Sequence, residues 1–169
     1  MKVNFRQLKS GGVELNFSES AEELNLDPDN VKFPEPVEVD LDVNKSGDEI
    51  IFQGRLSALA ELECSRCLDI FELPINTKLQ FVVHLLEDDG LQDTGDDDFV
   101  VLPKTALEYD LSERIREAII LELPLKPVCS ETCNGLCSMC GANLNDVECD
   151  CTPDKTDERW DSLRQLFDE

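Results

Sequence analysis

Cys129-Ser-Glu-Thr-Cys133-Asn-Gly-Leu-Cys137-Ser-Met-Cys140-Gly-Ala-Asn-Leu-Asn-Asp-Val-Glu-Cys149-Asp-Cys151 gathers most of the chain's 8 cysteines into one short stretch. Cys137-Ser-Met-Cys140-Gly141 reads as a metal knuckle. Two thiolates three positions apart can bind one ion, and the glycine permits the tight turn that follows. Cys149-Asp-Cys151 offers a second pair, because residues i and i+2 of an extended strand point the same way. Cys137, Cys140, Cys149 and Cys151 are therefore expected to close one structural zinc site. Cys64, Cys67, Cys129 and Cys133 are a second set of four. A second zinc would clip the CxxC at 64–67 to the start of the cluster.

Other cysteine chemistries fit less well. A disulfide framework belongs to an oxidising compartment, whereas the chain opens Met-Lys-Val-Asn-Phe-Arg with no apolar leader run. Cys133-x3-Cys137-x2-Cys140 has the spacing of an iron–sulfur motif in radical enzymes, but too little chain precedes it for their barrel; spacing alone leaves other iron–sulfur clusters open. A redox dithiol needs its CxxC at a helix N-terminus, and Cys64–Cys67 falls between strands.

Composition sets further bounds. The 169 residues suit one domain with a small metal-bound appendage. No apolar run approaches the roughly 20 residues that span a bilayer, so a soluble protein is expected, placed by its thiols in a reducing cytoplasm. Fifteen basic against 38 acidic residues give a net charge of −23. Such a surface repels phosphate backbones and attracts basic proteins. No lysine or arginine lies between Lys126 and Lys155, which disfavours nucleic-acid binding by the cysteine module.

In chain order, residues 1–17 read as a strand region interrupted at Gly11-Gly12, and 18–35 as a connection pinned by Leu24 and Leu26. Val37, Val39, Leu41 and Val43 alternate with acidic residues and Asn44, predicting a half-buried strand. Phe52, Leu56, Ala58, Ala60, Leu62 and Cys64 share one phase of a second strand. Phe71 to Leu85 does the same in a third, which places Cys64-Ser-Arg-Cys67 at the tip of a hairpin. Strands this long call for strong curvature or a bulge, with Gly54 as bend point. His84 reads as a surface imidazole without a role. The acidic run 87–98 reads as a mobile loop, with a docking tongue for a basic partner as the sharper alternative. Phe99–Leu102 is a short buried strand ended by Pro103. Asp110-Leu-Ser-Glu113 resembles a capping box opening a helix with Leu111, Ile115, Ala118 and Ile119 on its packing face. Thr156 is placed to cap a last short helix whose Trp160, Leu163 and Phe167 share a face. The expected class is α+β: a curved antiparallel β-meander packed by one helix over 1–127, a Cys-rich zinc-ribbon-like module over 128–152, and a C-terminal helix over 153–169.

Several of these stretches together resemble one family. They are Cys64-Ser-Arg-Cys67-Leu68, Leu-Ser-Glu-Arg-Ile-Arg-Glu-Ala-Ile-Ile-Leu-Glu-Leu-Pro-Leu at 111–125, Cys-Asn-Gly-Leu-Cys-Ser-Met-Cys-Gly-Ala-Asn-Leu-Asn at 133–145, and Asp-Glu-Arg-Trp-Asp-Ser-Leu at 157–163. The chain is similar over roughly 35–169 to the YceD family, the large ribosomal RNA subunit accumulation proteins. That resemblance implies a role in accumulation or maturation of large-subunit rRNA and supplies no catalytic residues. The metal then serves as a local staple for a tail too loop-rich to build its own core.

The expected function is a non-catalytic ribosome-biogenesis factor contacting a basic ribosomal protein or pre-ribosomal particle, with neither membrane nor small-molecule substrate. One alternative is direct rRNA binding through Lys104, Arg114, Arg116 and Lys126. Another is a metal-dependent hydrolase, which closed all-thiolate sites and a single histidine disfavour.

Overall fold

The computed structural model describes residues 1–8, 11–87 and 98–151. The expected C-terminal helix and most of the acidic run 87–98 lie outside the described residues. In chain order the elements are β1 (Lys2–Asn4), β2 (Gly11–Glu19), β3 (Val31–Lys32), β4 (Val37–Ser46), β5 (Glu49–Glu63), β6 (Ile70–Leu86), β7 (Phe99–Pro103), β8 (Glu108–Asp110) and α1 (Ser112–Glu122). A six-stranded sheet runs β2-β4-β5-β6-β7, with β3 on the far end of β5; β1 and β8 form a separate two-stranded sheet.

The central strands follow their alternation. Val37, Val39, Leu41 and Val43 point into the core, while Glu38, Asp40, Asp42 and Asn44 face out. The two-residue loop Gly47-Asp48, with Gly47 at φ +62°, turns β4 into β5. Phe52 and Phe81, partners across β5 and β6, stack at 4.6 Å. From the helix, Arg114 lies 4.7 Å from the Phe81 ring centre and its Nε donates to Tyr109 Oη at 3.0 Å. Leu111, Ile115 and Ile119 close this side of the core, and Leu24 and Leu26 are buried as expected.

Several local expectations are corrected. Gly11-Gly12 does not interrupt one strand: the glycines open β2, and Lys2–Asn4 belong to the other sheet. The segment Phe99–Pro103 is a half-exposed edge strand parallel to β6, where a buried one was expected. Strand β8 carries no alternation of its own and exists because β1 pairs with it. At the helix start no capping box forms, since Leu111 occupies the N-cap position in a helical conformation. Asp110 serves instead by accepting the Ser112 N–H at 2.9 Å. Bonds from the Ser112 hydroxyl and main-chain N–H hold the Asp110 carboxyl below the usual carboxylate range. The helix ends at Glu122 because Pro124 forces Leu123 to be extended.

The long β5–β6 pairing contains no bulge; its register is unbroken from Glu49↔His84 to Glu63↔Ile70. Leu15, Leu41, Gly54 and Leu79 form one cross-strand row, and along it the outer face sinks into a depression of about 520 Å³. Gly54 is required here because the paired strand β4 comes close to it. A Cβ there would collide with the Asp40 carbonyl oxygen and lie 2.8 Å from Leu41 Cδ2. Gly54→Ala is therefore expected to cost about 1–3 kcal/mol of stability through overpacking. Urea unfolding measures it, and an unchanged midpoint would show that the strands part freely.

Candidate metal centres

Two tight turns build the cysteine clusters, and they carry the same set of bonds. At the β5–β6 hairpin tip, the Cys64 N–H donates to Asp69 O (2.9 Å) and the Leu68 N–H to Cys64 O (2.9 Å). The Arg66 N–H points at Cys64 Sγ from 3.4 Å. At the second turn, the Cys137 N–H donates to Ala142 O (2.8 Å), the Gly141 N–H to Cys137 O (2.9 Å), and the Met139 N–H points at Cys137 Sγ from 3.4 Å. Gly141 sits at φ +74° and Leu68 at φ +62°. The glycine takes this left-handed conformation freely, whereas Leu68 holds it at a cost of about 1 kcal/mol or more. Both are metal knuckles in form, but only the glycine version can be read from the residue type.

The segment after the helix comes to the hairpin tip. Pro127 O accepts both the Ser65 N–H (2.9 Å) and the Ser65 hydroxyl (2.7 Å). The Cys129 N–H then approaches Cys64 Sγ at 3.4 Å. Arg66 reaches across to donate from Nη1 to Cys133 O (2.9 Å) and Glu131 O (3.1 Å), and Asn145 Nδ2 donates to Cys133 Sγ (3.3 Å). Cys64, Cys67, Cys129 and Cys133 thus form one group and Cys137, Cys140, Cys149 and Cys151 another, each with its sulfurs within 4.8 Å of one another. Cys149 and Cys151 reach their group from irregular chain, where a strand was expected. Sulfur separations of 3.9 Å for Cys64–Cys133, 3.6 Å for Cys67–Cys129 and 3.3 Å for Cys137–Cys149 are far beyond the roughly 2.05 Å of a disulfide.

The two groups share one body. Arg66 O accepts the Leu136 N–H at 3.0 Å, and Gly135, at φ +74°, lies so close that a Cβ would sit 3.0 Å from that oxygen. Asn143 Nδ2 donates to Asp69 Oδ2 at 2.8 Å. Arg66, Asn143 and Asn145 escaped the sequence reading, which weighed only the sulfurs; the asparagines crowded between the cysteines were the available signal.

The family model for large ribosomal RNA subunit accumulation protein YceD matches residues 52–167, which include all eight cysteines and the hairpin that presents two of them. The chain belongs to the YceD family. A chloroplastic YCED homolog 1 of Arabidopsis thaliana is 27% identical over 87% of this chain and 54% of its own length. The Zea mays protein of the same name is 31% identical over 70% of this chain and 49% of its own. An uncharacterized protein of Mycobacterium bovis is 31% identical over 78% of this chain and 62% of its own. The chain therefore spans about half the length of the plant relatives. No solved structure matches it.

The electrostatics of this YceD-family cluster fit a cation. Burial opposes a thiolate at Cys64, yet the N–H groups of Cys129, Cys67 and Arg66 outweigh it and hold the thiol down to about 6. The N–H groups of Cys140 and Met139 hold Cys137 down to about 6 as well. The Asn145 amide lowers Cys133 as well, while Cys67, Cys129, Cys149 and Cys151 move the other way, sulfur contacts with Cys140 and Cys149 pushing Cys151 up to about 12. Without a cation each group carries a thiolate that its own main chain has prepared beside other thiols that resist ionising: Cys67 and Cys129 in one group, Cys149 and Cys151 in the other. Two positive charges at the centre remove that conflict, and the soft all-sulfur donor set suits zinc.

Two of the four basic residues proposed for RNA are engaged elsewhere. Lys104 is held by Asp48 (2.9 Å) and Glu87 (3.2 Å), and Arg114 is committed to Phe81 and Tyr109. His84 stacks on Phe99 at 5.7 Å. Among the described residues no helix is long and apolar enough to cross a membrane.

Cys137→Ser is expected to remove one metal equivalent and Cys64→Ser the other, read by elemental analysis; a single substitution that empties both groups would show one cooperative centre. Acid should release the metal. The depressed thiols at Cys64 and Cys137 supply stability that is present above the ordinary thiol value of 9.0 and lost as pH falls through about 6. A bound metal competes with protons for these thiolates and holds them ionised to lower pH than in the metal-free protein, so a chromogenic chelator should detect release as acid protonates them, and full retention after acid unfolding would contradict the assignment.

Proposed function

We propose that this protein supports accumulation of large-subunit ribosomal RNA as a non-catalytic assembly factor that contacts basic ribosomal proteins. The observation that carries the reading is the family match over residues 52–167, whose description names large ribosomal RNA subunit accumulation. The net charge of −23 supports the choice of partner, because an acidic surface attracts basic proteins and repels RNA. The engagement of Lys104 and Arg114 in ion-pair, aromatic and hydroxyl contacts supports it too, since two of the four candidate phosphate ligands already have other work.

In this reading each cysteine group holds one zinc in a closed, four-sulfur structural site. The zinc supplies no reaction centre; it holds the C-terminal cysteine segment on the β5–β6 hairpin. Eight free thiols support the reading of a reducing, cytoplasmic setting.

Capture from cell extract tests the proposal. Immobilised zinc-loaded protein is expected to retain large-subunit ribosomal proteins or their precursor particles at low salt. Retention should weaken as ionic strength passes about 0.15 M, where the screening length is about 8 Å. It should survive ribonuclease treatment. Loss of all ribosomal components on ribonuclease treatment would favour direct rRNA contact, and retention of none at any salt would overturn the assignment.

A further inference from the structure

The six-stranded sheet has two edges, and they are finished differently. At one edge β7 is five residues long and ends in Pro103, both ordinary defences against unwanted pairing. At the other, β2 runs nine residues, Gly11 to Glu19, with neither lysine nor proline and with an unbroken register against β4. Among the described residues no main-chain group of β2 bonds outward beyond the β4 ladder. Its inward side chains Val13, Leu15 and Phe17 are only half-buried, although their partners Val43, Leu41 and Val39 are 0–2% exposed. One more strand alongside would complete their cover.

Charge selects the occupant. Arg55 and Lys78 line the depression from β5 and β6, while at its β2 side Glu14 stands directly opposite Asp42, a like-charge pair that costs stability. Asp40 beside them accepts from Asn16, and all four residues line the depression across the outer face. A second copy of the chain would bring another −23 to this edge, so the acidic residues discourage self-pairing. A strand bearing lysine or arginine on its outward side and apolar residues on its inward side satisfies the main chain, the half-covered apolar row and the Glu14–Asp42 pair together.

We propose that the β2 edge is a docking site for an extended, basic segment of a partner protein, which joins the sheet by strand addition. The inference deepens the protein-contact function proposed above and rests on it for the partner's origin, but not for the edge itself.

The probe is an end-blocked peptide of alternating lysine and valine, matched in length to β2. Its binding is expected to protect the amides of residues 11–19 from hydrogen exchange. Glu14→Lys, at an exposed position, is expected to weaken binding about tenfold. The same peptide N-methylated at alternate residues keeps its charge and loses the ladder bonds, so it should fail to bind. Equal binding of the methylated peptide would overturn strand addition. So would a β2 edge already protected without peptide, or a concentration-dependent dimer protecting the same amides, since either shows another occupant. Capture of ribosomal components by protein that ignores the peptide removes only this inference. Peptide binding at β2 without any ribosomal capture removes the function and leaves the edge.

Discussion

Closure of the β5–β6 hairpin tip against a segment 62 to 69 residues further along the chain is the constraint on which the C-terminal half depends. Between Cys129 and Cys151 there is one isolated bridge, Leu136↔Asn143, and no regular element. Such a stretch cannot bury enough apolar surface to offset its conformational entropy. Its order comes instead from polar bonds that converge on Arg66 and from sulfurs that converge on two points. A clip between distant residues stabilises by removing loop-closure entropy from the unfolded chain, a gain that rises slowly with the length of the loop closed. The clip works only because β5 and β6 are long, continuously paired strands that project Cys64 and Cys67 beyond the sheet as a rigid tip.

The same tip explains why two clusters behave as one body. Arg66 lies between Cys64 and Cys67, yet its guanidinium holds the Cys133 loop and its carbonyl receives Leu136, the residue before the second knuckle. Leu68 pays for this geometry with a left-handed backbone, as the residue after the second cysteine must turn sharply whether or not it is glycine. Strain there is tolerable because hydrogen bonds on both sides of the turn fix its shape.

What could be read from the sequence follows from which residues report on their own surroundings. Alternation in β4, β5 and β6 spans enough positions to fix strand type, facing and the place of the hairpin tip. The cysteines announce themselves by spacing. What stayed hidden depends on partners distant in sequence. Strand β8 has three residues and exists only through β1; β7 runs parallel because of where the chain returns, which Phe99–Pro103 does not encode. The capping role of Asp110 was legible in residue type but not in position, since Leu111 joined the helical conformation and moved the start. Gly54 was legible as special, though a bulge and a close crossing leave the same mark in sequence.

The distribution of charge is the part that the fold does not explain. Strands β4 and β5 bury Val37, Val39, Leu41, Phe52 and Leu56 almost completely, and this core tolerates any polar residue on the opposite face. Stability would be served by alternating signs there, since opposite charges across a strand pair help and like charges hurt by a few tenths to about 1 kcal/mol. Arg55 opposite Asp40 follows that rule, whereas Arg55 opposite Lys78, Glu61 opposite Glu72 and Glu14 opposite Asp42 break it, the last of these at the one long edge. A protein selected only to stay folded has no reason to keep such a pair where another chain could reach it. A protein that must be soluble alone and adhesive toward cations does, because the same repulsion that weakens the free edge is relieved when a basic strand arrives.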